Sequence, residues 1–176
     1  FNESWYAGET AITAIGQGFT LVTPLQLANA TAKLANPSLS IKPHLLLSID
    51  GIQQEKQEVK EKKQSYSDET LKWVKTGMVN VTKEGGTAAF LGRKSDYQMA
   101  SKTGTAQVFG LKKDQEYNED IIPDKLKDHA LFITYAPAID PEIVIAVIVE
   151  NGGHGGSVAG PIAKEVLDAY LINKKL

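Results

Sequence analysis

The chain has 176 residues, 42% hydrophobic and 23% charged, with a formal net charge of -2 and a pI near 6.0. That size and composition fit one globular domain with a buried core. A basic excess is missing, so no nucleic-acid partner is expected, and the lack of cysteine removes disulfides, thiolate metal sites and thiol catalysis without identifying the compartment.

No stretch is long and apolar enough to cross a bilayer as a helix. The longest uninterrupted run is Ile143 to Val149, and Phe1-Asn2-Glu3-Ser4 has no signal-peptide pattern. The first residue is not Met, which suggests that residue 1 is not the natural start of a gene product.

In chain order, Ile15-Gly16-Gln17-Gly18 is a turn signal. Thr23-Pro24 then starts a helix, with a hydroxyl cap followed by proline in the first turn. Leu25, Ala28, Ala32 and Ala35 recur near helical spacing, and Asn36-Pro37 ends the element. His44 to Ile49 reads as a strand closed by Asp50-Gly51. The Glu, Lys and Gln mixture over 53–64 reads as a solvated hairpin or loop. Ser67-Asp68-Glu69 opens a second helix, with acids where the helix dipole favours them. Leu71, Val74, Met78 and Val81 form its apolar stripe, and Glu84-Gly85-Gly86-Thr87 breaks it.

Strands are expected over roughly 97–109, 130–136 and 142–150, with a polar insert over 110–128. The third is apolar at successive positions, as in a strand covered on both faces. A glycine-rich turn, Asn151 to Gly156, leads to an amphipathic helix over about 158–172, with Ile162, Val166, Leu167 and Tyr170 as its core face. The short or polar connections favour an antiparallel sheet flanked by helices, an α/β architecture of the α+β type.

The segment that carries chemistry is Ala100-Ser101-Lys102-Thr103-Gly104-Thr105-Ala106-Gln107. Alternation along a strand puts Thr103 and Thr105 on one side and Lys102 on the other. Two hydroxyls two residues apart suit one carboxylate, and an ammonium nearby adds positive potential. Gly104 lets another backbone approach closely. Such an edge suits an extended peptide ending in a carboxylate, with the Thr105 N–H available to an oxyanion.

Lys102-Thr103-Gly104-Thr105-Ala106-Gln107 resembles the K-T-G-T-A-Q form of class B penicillin-binding proteins, whose third motif is K-T-G. Ala14-Ile15-Gly16-Gln17-Gly18, Thr23-Pro24-Leu25-Gln26-Leu27-Ala28 and Glu84-Gly85-Gly86-Thr87-Ala88 resemble further segments of that family. Asp128-His129-Ala130-Leu131-Phe132, Tyr135-Ala136-Pro137 and Glu150-Asn151-Gly152-Gly153 follow in the same order, so the likeness runs from about residue 5 to 172. Gln107-Val108-Phe109 and Leu126-Lys127-Asp128-His129-Ala130 are most similar to the penicillin-binding protein 2 branch, the elongation-specific transpeptidases of Gram-negative bacteria.

The resemblance implies a peptidoglycan D,D-transpeptidase. A serine ester forms with loss of D-Ala from a D-Ala-D-Ala stem, and the amine of a neighbouring stem then attacks it. By resemblance, Lys102, Thr103 and Gly104 belong to the catalytic motif. Lys102 supports proton transfer through an S-x-N serine. Thr103 and Thr105 bind the stem's terminal carboxylate, or that of a β-lactam. The Thr105 N–H forms half of the oxyanion hole, Gly104 keeps the strand edge clear, and Gln107 joins the substrate-binding set. Stem peptides and β-lactams are the implied partners, and no cofactor or metal is expected.

No serine here has Lys three positions on or Asn two positions on, and no threonine starts T-x-x-K. The family carries both serine motifs N-terminal to its I-G-Q-G segment. The expectation is therefore that residues 1–176 form the C-terminal part of a single transpeptidase domain, inactive alone. The parent would act on the periplasmic side of the inner membrane, held by an N-terminal anchor. Two strands of the family's five-stranded sheet would also lie upstream. The apolar last strand would then have an open edge, predicting marginal stability or an edge-strand dimer. A related D,D-carboxypeptidase or septal transpeptidase, or a non-catalytic peptidoglycan-binding module, are the alternatives.

His44, His129 and His154 lack metal-ligand spacing. The first two are expected to be structural, and His154 is a candidate to line the pocket. Gly86 to Ser95 resembles a phosphate loop, but its spacing is off by one and Arg93 stands where Lys is needed. Trp5, Tyr6 and Trp73 are expected to be at least half-buried.

Overall fold

A computed structural model describes residues 4–38, 42–46, 48–53, 66–108 and 122–172. The first helix, α1, spans Ala7–Ala14, and the Tyr6 N–H donates to Glu9 Oε2 at 3.0 Å at its start. No residue of α1 is buried, and the sequence reading gave no helix there. Helix α2 spans Pro24–Ala35. Its start is a reciprocal cap: Thr23 Oγ1 accepts from the Gln26 N–H at 3.2 Å, and Gln26 Oε1 accepts from the Thr23 N–H at 2.9 Å. Helix α3, Asp68–Asn80, starts where Ser67 Oγ accepts the Thr70 N–H at 3.1 Å. A four-residue helix, α4, covers Ala89–Gly92, and α5 covers Ala159–Leu171.

Strands β1 (Ser48–Ile49) and β2 (Ile52–Gln53) form a minimal hairpin. Its turn residues Asp50 and Gly51 have φ of 50° and 81°, as a primed hairpin turn requires. Of the strand expected from His44, the described residues in extended pairing are Ser48 and Ile49, while Leu45 and Leu46 are exposed. Residues 54–65 and 109–121, which include most of the two polar stretches, lie outside the described residues. Of the second stretch, Asp124–Leu126 form a single 3₁₀ turn.

The main sheet has the order β3-β4-β5, from Ala100–Ala106, His129–Ala136 and Ile143–Val149. Both pairings are antiparallel, with Gly104 opposite Leu131 and Phe132 opposite Val147. Helices α2 and α3 pack on one face and α5 on the other. One core cluster includes Leu91, Met99, Phe132, Ala163 and Leu167; the other joins Ala35, Met78, Ala100 and Tyr135 across the sheet.

Several expected core positions are corrected. On α5 the buried residues are Ala159, Gly160, Ala163 and Leu167, whereas Ile162 and Val166 are exposed. The helix lies close to the sheet because its contact row is small: a Cβ on Gly160 would stand 2.8 Å from Leu91 Cδ1 and 3.4 Å from Phe132 Cε2. On α2, Leu25 is exposed and Thr31 is buried, its hydroxyl donating to the Leu27 carbonyl at 2.8 Å. On α3, Val74 is exposed while Leu71 and Met78 are buried. Trp5, Tyr6 and Trp73 are 63%, 62% and 69% exposed, because no described element packs over them.

Candidate active site

Strand β3 carries the candidate residues in an extended conformation. Register puts Lys102 opposite Ile133 and Gly104 opposite Leu131, while Thr103 and Thr105 stand opposite Phe132 and Ala130. Lys102 and Gly104 thus share the α2/α3 face, and the two threonines share the α5 face, as alternation requires. Lys102 is exposed, and its Nζ donates to the Thr103 carbonyl at 2.6 Å. Thr103 is half-buried and Thr105 exposed, and Gln107 sits just past the strand's end, also exposed. The N-terminal end of β3 is anchored below: buried Ser101 Oγ donates to Thr134 Oγ1 at 2.9 Å.

Only one edge of β3 is paired among the described residues. In an antiparallel ladder, alternate residues turn their N–H and C=O groups away from the partner strand. The Thr103 carbonyl, taken by the Lys102 ammonium, belongs to that outward set. Thr105, two residues on, presents its N–H in the same direction. Among the described residues the result is a strand edge without a partner strand, with an ammonium, two hydroxyls and outward backbone N–H groups within a few residues, which suits an extended acidic peptide.

The strand is backed by the turn after β5. Gly155 sits over the Gly104–Leu131 pair: a Cβ on Gly155 would fall 2.1 Å from the Leu131 carbonyl oxygen and 2.4 Å from that of Gly104. Next to it, a Cβ on Gly156 would meet both Thr103 Cγ2 and the Thr87 carbonyl oxygen at 3.3 Å. Gly86-Thr87, Thr103-Gly104 and Gly155-Gly156 therefore converge at one place. This turn is itself fastened to the entry of β4. Asn151 Nδ2 donates to the carbonyls of Lys125 at 3.1 Å and Lys127 at 2.9 Å. The Asn151 N–H donates to His129 Nδ1 at 2.9 Å, and the Gly153 N–H to the Asp128 carbonyl at 2.8 Å.

His129 is structural, as expected. His44 is exposed, its Nδ1 3.3 Å from the Lys42 carbonyl. His154 is exposed in the turn, and its carbonyl accepts from the Val158 N–H at 3.1 Å and Ser157 Oγ at 3.3 Å at the start of α5. Sequence reasoning did not assign Asn151, Gly155 or Gly156 to the site. The available signal was Asn-Gly-Gly, which suits left-handed backbone; Asn151 and Gly153 have φ of 55° and 76°.

Two surface grooves, of about 430 and 320 Å³, lie elsewhere. The first is lined by Lys72, Lys75, Lys83 and Ile139 among others, the second by Thr82, Asp96 and Tyr97 among others, and neither includes residues 102–107. Outside the edge, Tyr97 Oη donates to Asp168 Oδ1 at 2.7 Å, and Lys164 Nζ lies 2.6 Å from both oxygens of Asp168. Burial and then the Asp168 carboxylate hold the Tyr97 hydroxyl above its ordinary value. This knot ties the second half of α5 to the segment that enters β3. Burial likewise raises the Tyr135 hydroxyl, which has no hydrogen-bond partner among the described residues.

Comparison with known proteins gives a consistent set of likenesses. The penicillin binding protein transpeptidase domain family matches residues 1–168. The chain is 39% identical, over its full length, to the peptidoglycan D,D-transpeptidase MrdA of Haemophilus influenzae, and spans 28% of that relative. The crystal structure of Pseudomonas aeruginosa PBP2 in complex with WCK 5153 matches with a TM-score of 0.79 at 40% identity, covering 97% of this chain and 35% of that one. Penicillin-binding protein A of M. tuberculosis, solved as a ceftriaxone acyl-enzyme complex, matches with a TM-score of 0.69 at 31% identity, covering 91% of this chain and 35% of that one.

Proposed function

This chain belongs to the family of penicillin-binding protein transpeptidase domains, and we propose from that membership that it supplies the substrate strand of a serine D,D-transpeptidase that cross-links peptidoglycan. The reading rests above all on β3: Lys102-Thr103-Gly104-Thr105 lies extended along an open sheet edge. An entering stem peptide adds to that edge as a further strand. Thr103 and Thr105 hold its terminal carboxylate, and Gln107 stands at the end of the same edge. The Thr105 N–H donates to the oxyanion that develops during acyl transfer. Lys102 supplies positive potential and supports proton transfer to and from the serine side of the site. Gly104 keeps the edge free of side chains, and Gly155, itself without a Cβ, backs it.

In this reading the nucleophile belongs to a part of the protein outside residues 1–176, since no S-x-x-K or S-x-N is present. β-Lactams mimic the stem and acylate the same serine. Identities of 39% and 40% to MrdA and PBP2 chains support placement in the elongation branch, and with it action on the periplasmic side of the inner membrane. Fluorescent penicillin tests the reading. The full-length protein is expected to be labelled covalently, and the purified 176-residue chain is not. Failure to label the full-length protein, or labelling of the isolated chain, would overturn it.

A further inference from the structure

We propose that Asn151 and His129 are positioning residues for the substrate edge of β3, acting through the glycine turn that backs it; the proposal rests on the reading of Lys102 to Thr105 as that edge. The path is short and made of close contacts. His129 Nδ1 takes the Asn151 N–H at 2.9 Å, and the Asn151 amide spans the Lys125 and Lys127 carbonyls. These bonds hold Asn151 in a left-handed conformation, φ 55°, which only a few residue types adopt readily. Gly155 then lies directly on the Gly104–Leu131 backbone, with no side chain between to absorb movement. Gly156 lies beside Thr103, close enough that a Cβ on it would stand 3.3 Å from the Thr103 methyl, and the Thr103 hydroxyl is two positions from that of Thr105. A shift of the turn therefore becomes a shift of the carboxylate-binding hydroxyls and of the outward N–H groups. His129 meets β3 at its ladder partner Ala106, and neither side chain belongs to the Lys102 to Thr105 set, so both act on reactivity through geometry.

The test uses the full-length transpeptidase that carries this chain, and separates β-lactam affinity from the acylation rate constant. Asn151→Gly keeps the left-handed backbone and removes the amide. His129→Leu removes the acceptor, and His129→Asn restores an acceptor near the position of Nδ1. The expected result is a loss of about tenfold to a hundredfold in the acylation rate constant for Asn151→Gly and His129→Leu, with recovery in His129→Asn and little change in the melting temperature of the last. Should Asn151→Gly fail to fold, the His129 pair decides. Unchanged acylation in folded Asn151→Gly or His129→Leu, or equal damage from His129→Leu and His129→Asn, overturns the proposal. An unsubstituted protein that takes no label instead overturns the transpeptidase reading beneath it.

Discussion

Gly155 packs backbone to backbone on Gly104, so closely that a Cβ on Gly155 would stand 2.4 Å from the Gly104 carbonyl oxygen and 3.0 Å from its nitrogen. Real Cβ atoms do not tolerate such distances, so the turn or the strand must move. Gly155→Ala is expected to destabilise the chain by about 3 kcal/mol. Gly104→Ala, whose Cβ meets the Leu131 Cβ at 3.1 Å, should cost less, about 1 kcal/mol. Urea denaturation of the two variants gives the order, and the reverse order would contradict the packing.

The Tyr97–Asp168 bond makes a pH prediction. Burial and the neighbouring carboxylate raise the Tyr97 hydroxyl in the folded state. Its folded value lies above the unfolded value of about 10, so the neutral phenol is the form folding favours. Its contribution is fully present below that unfolded value and is lost as pH rises through the folded one. Tyr97→Phe should lower stability at neutral pH by about 1–2 kcal/mol and flatten the alkaline limb. Thermal melts between about pH 8 and 11 show the limb, and an unchanged limb in the variant would contradict the assignment.

The corrected face of α5 is open to a direct comparison. Leu167 is fully buried, while Ile162 and Val166 are 44% and 46% exposed. In this chain, Leu167→Ala should cost about 2–5 kcal/mol. Ile162→Ala and Val166→Ala should each cost about 0.5 kcal/mol or less. Equal losses at all three positions would restore the face that periodicity suggested.

Strand β5 is apolar throughout, yet among the described residues only β4 pairs with it. Its residues are half-buried rather than fully covered, and Ile148 is 41% exposed. An open edge of that kind pairs with other chains. Sedimentation of the isolated chain is expected to show concentration-dependent association that Ile148→Lys weakens. A monomer at all concentrations with high thermal stability would count against an exposed edge.

The parts of this fold written in short-range chemistry were legible in the sequence. Thr23-Pro24 and Ser67-Asp68-Glu69 announce α2 and α3, and the Thr23 and Ser67 hydroxyls do cap them. The K-T-G strand was legible because alternation and a glycine are local properties. What failed needed knowledge of distant partners. The core row of α5 is Gly160, Ala163 and Leu167, because Leu91 and Phe132 come within reach of a Cβ at 160; periodicity preferred larger neighbours. Trp5, Tyr6 and Trp73 were assigned to packing by size, and no described element covers them. The fastening of Asn151 to His129, Lys125 and Lys127 joins residues 22 to 26 positions apart. Sequence gave both segments as motifs but not their contact. The Gly155 stacking likewise appears only once β3, β4 and the turn are assembled.

The most direct measurement is the acylation rate of the full-length protein by a fluorescent penicillin, compared between the unsubstituted form and Lys102→Ala and Thr103→Val. Lys102 is exposed, and Thr103 is half-buried but replaced by the isosteric valine, so folding should survive and melting temperatures should stay close to the parent's. The account predicts a loss of about a hundredfold or more for Lys102→Ala, and a loss for Thr103→Val that falls mainly on binding of the carboxylate. Labelling of both folded variants at the parental rate would contradict the assignment of this edge to the substrate.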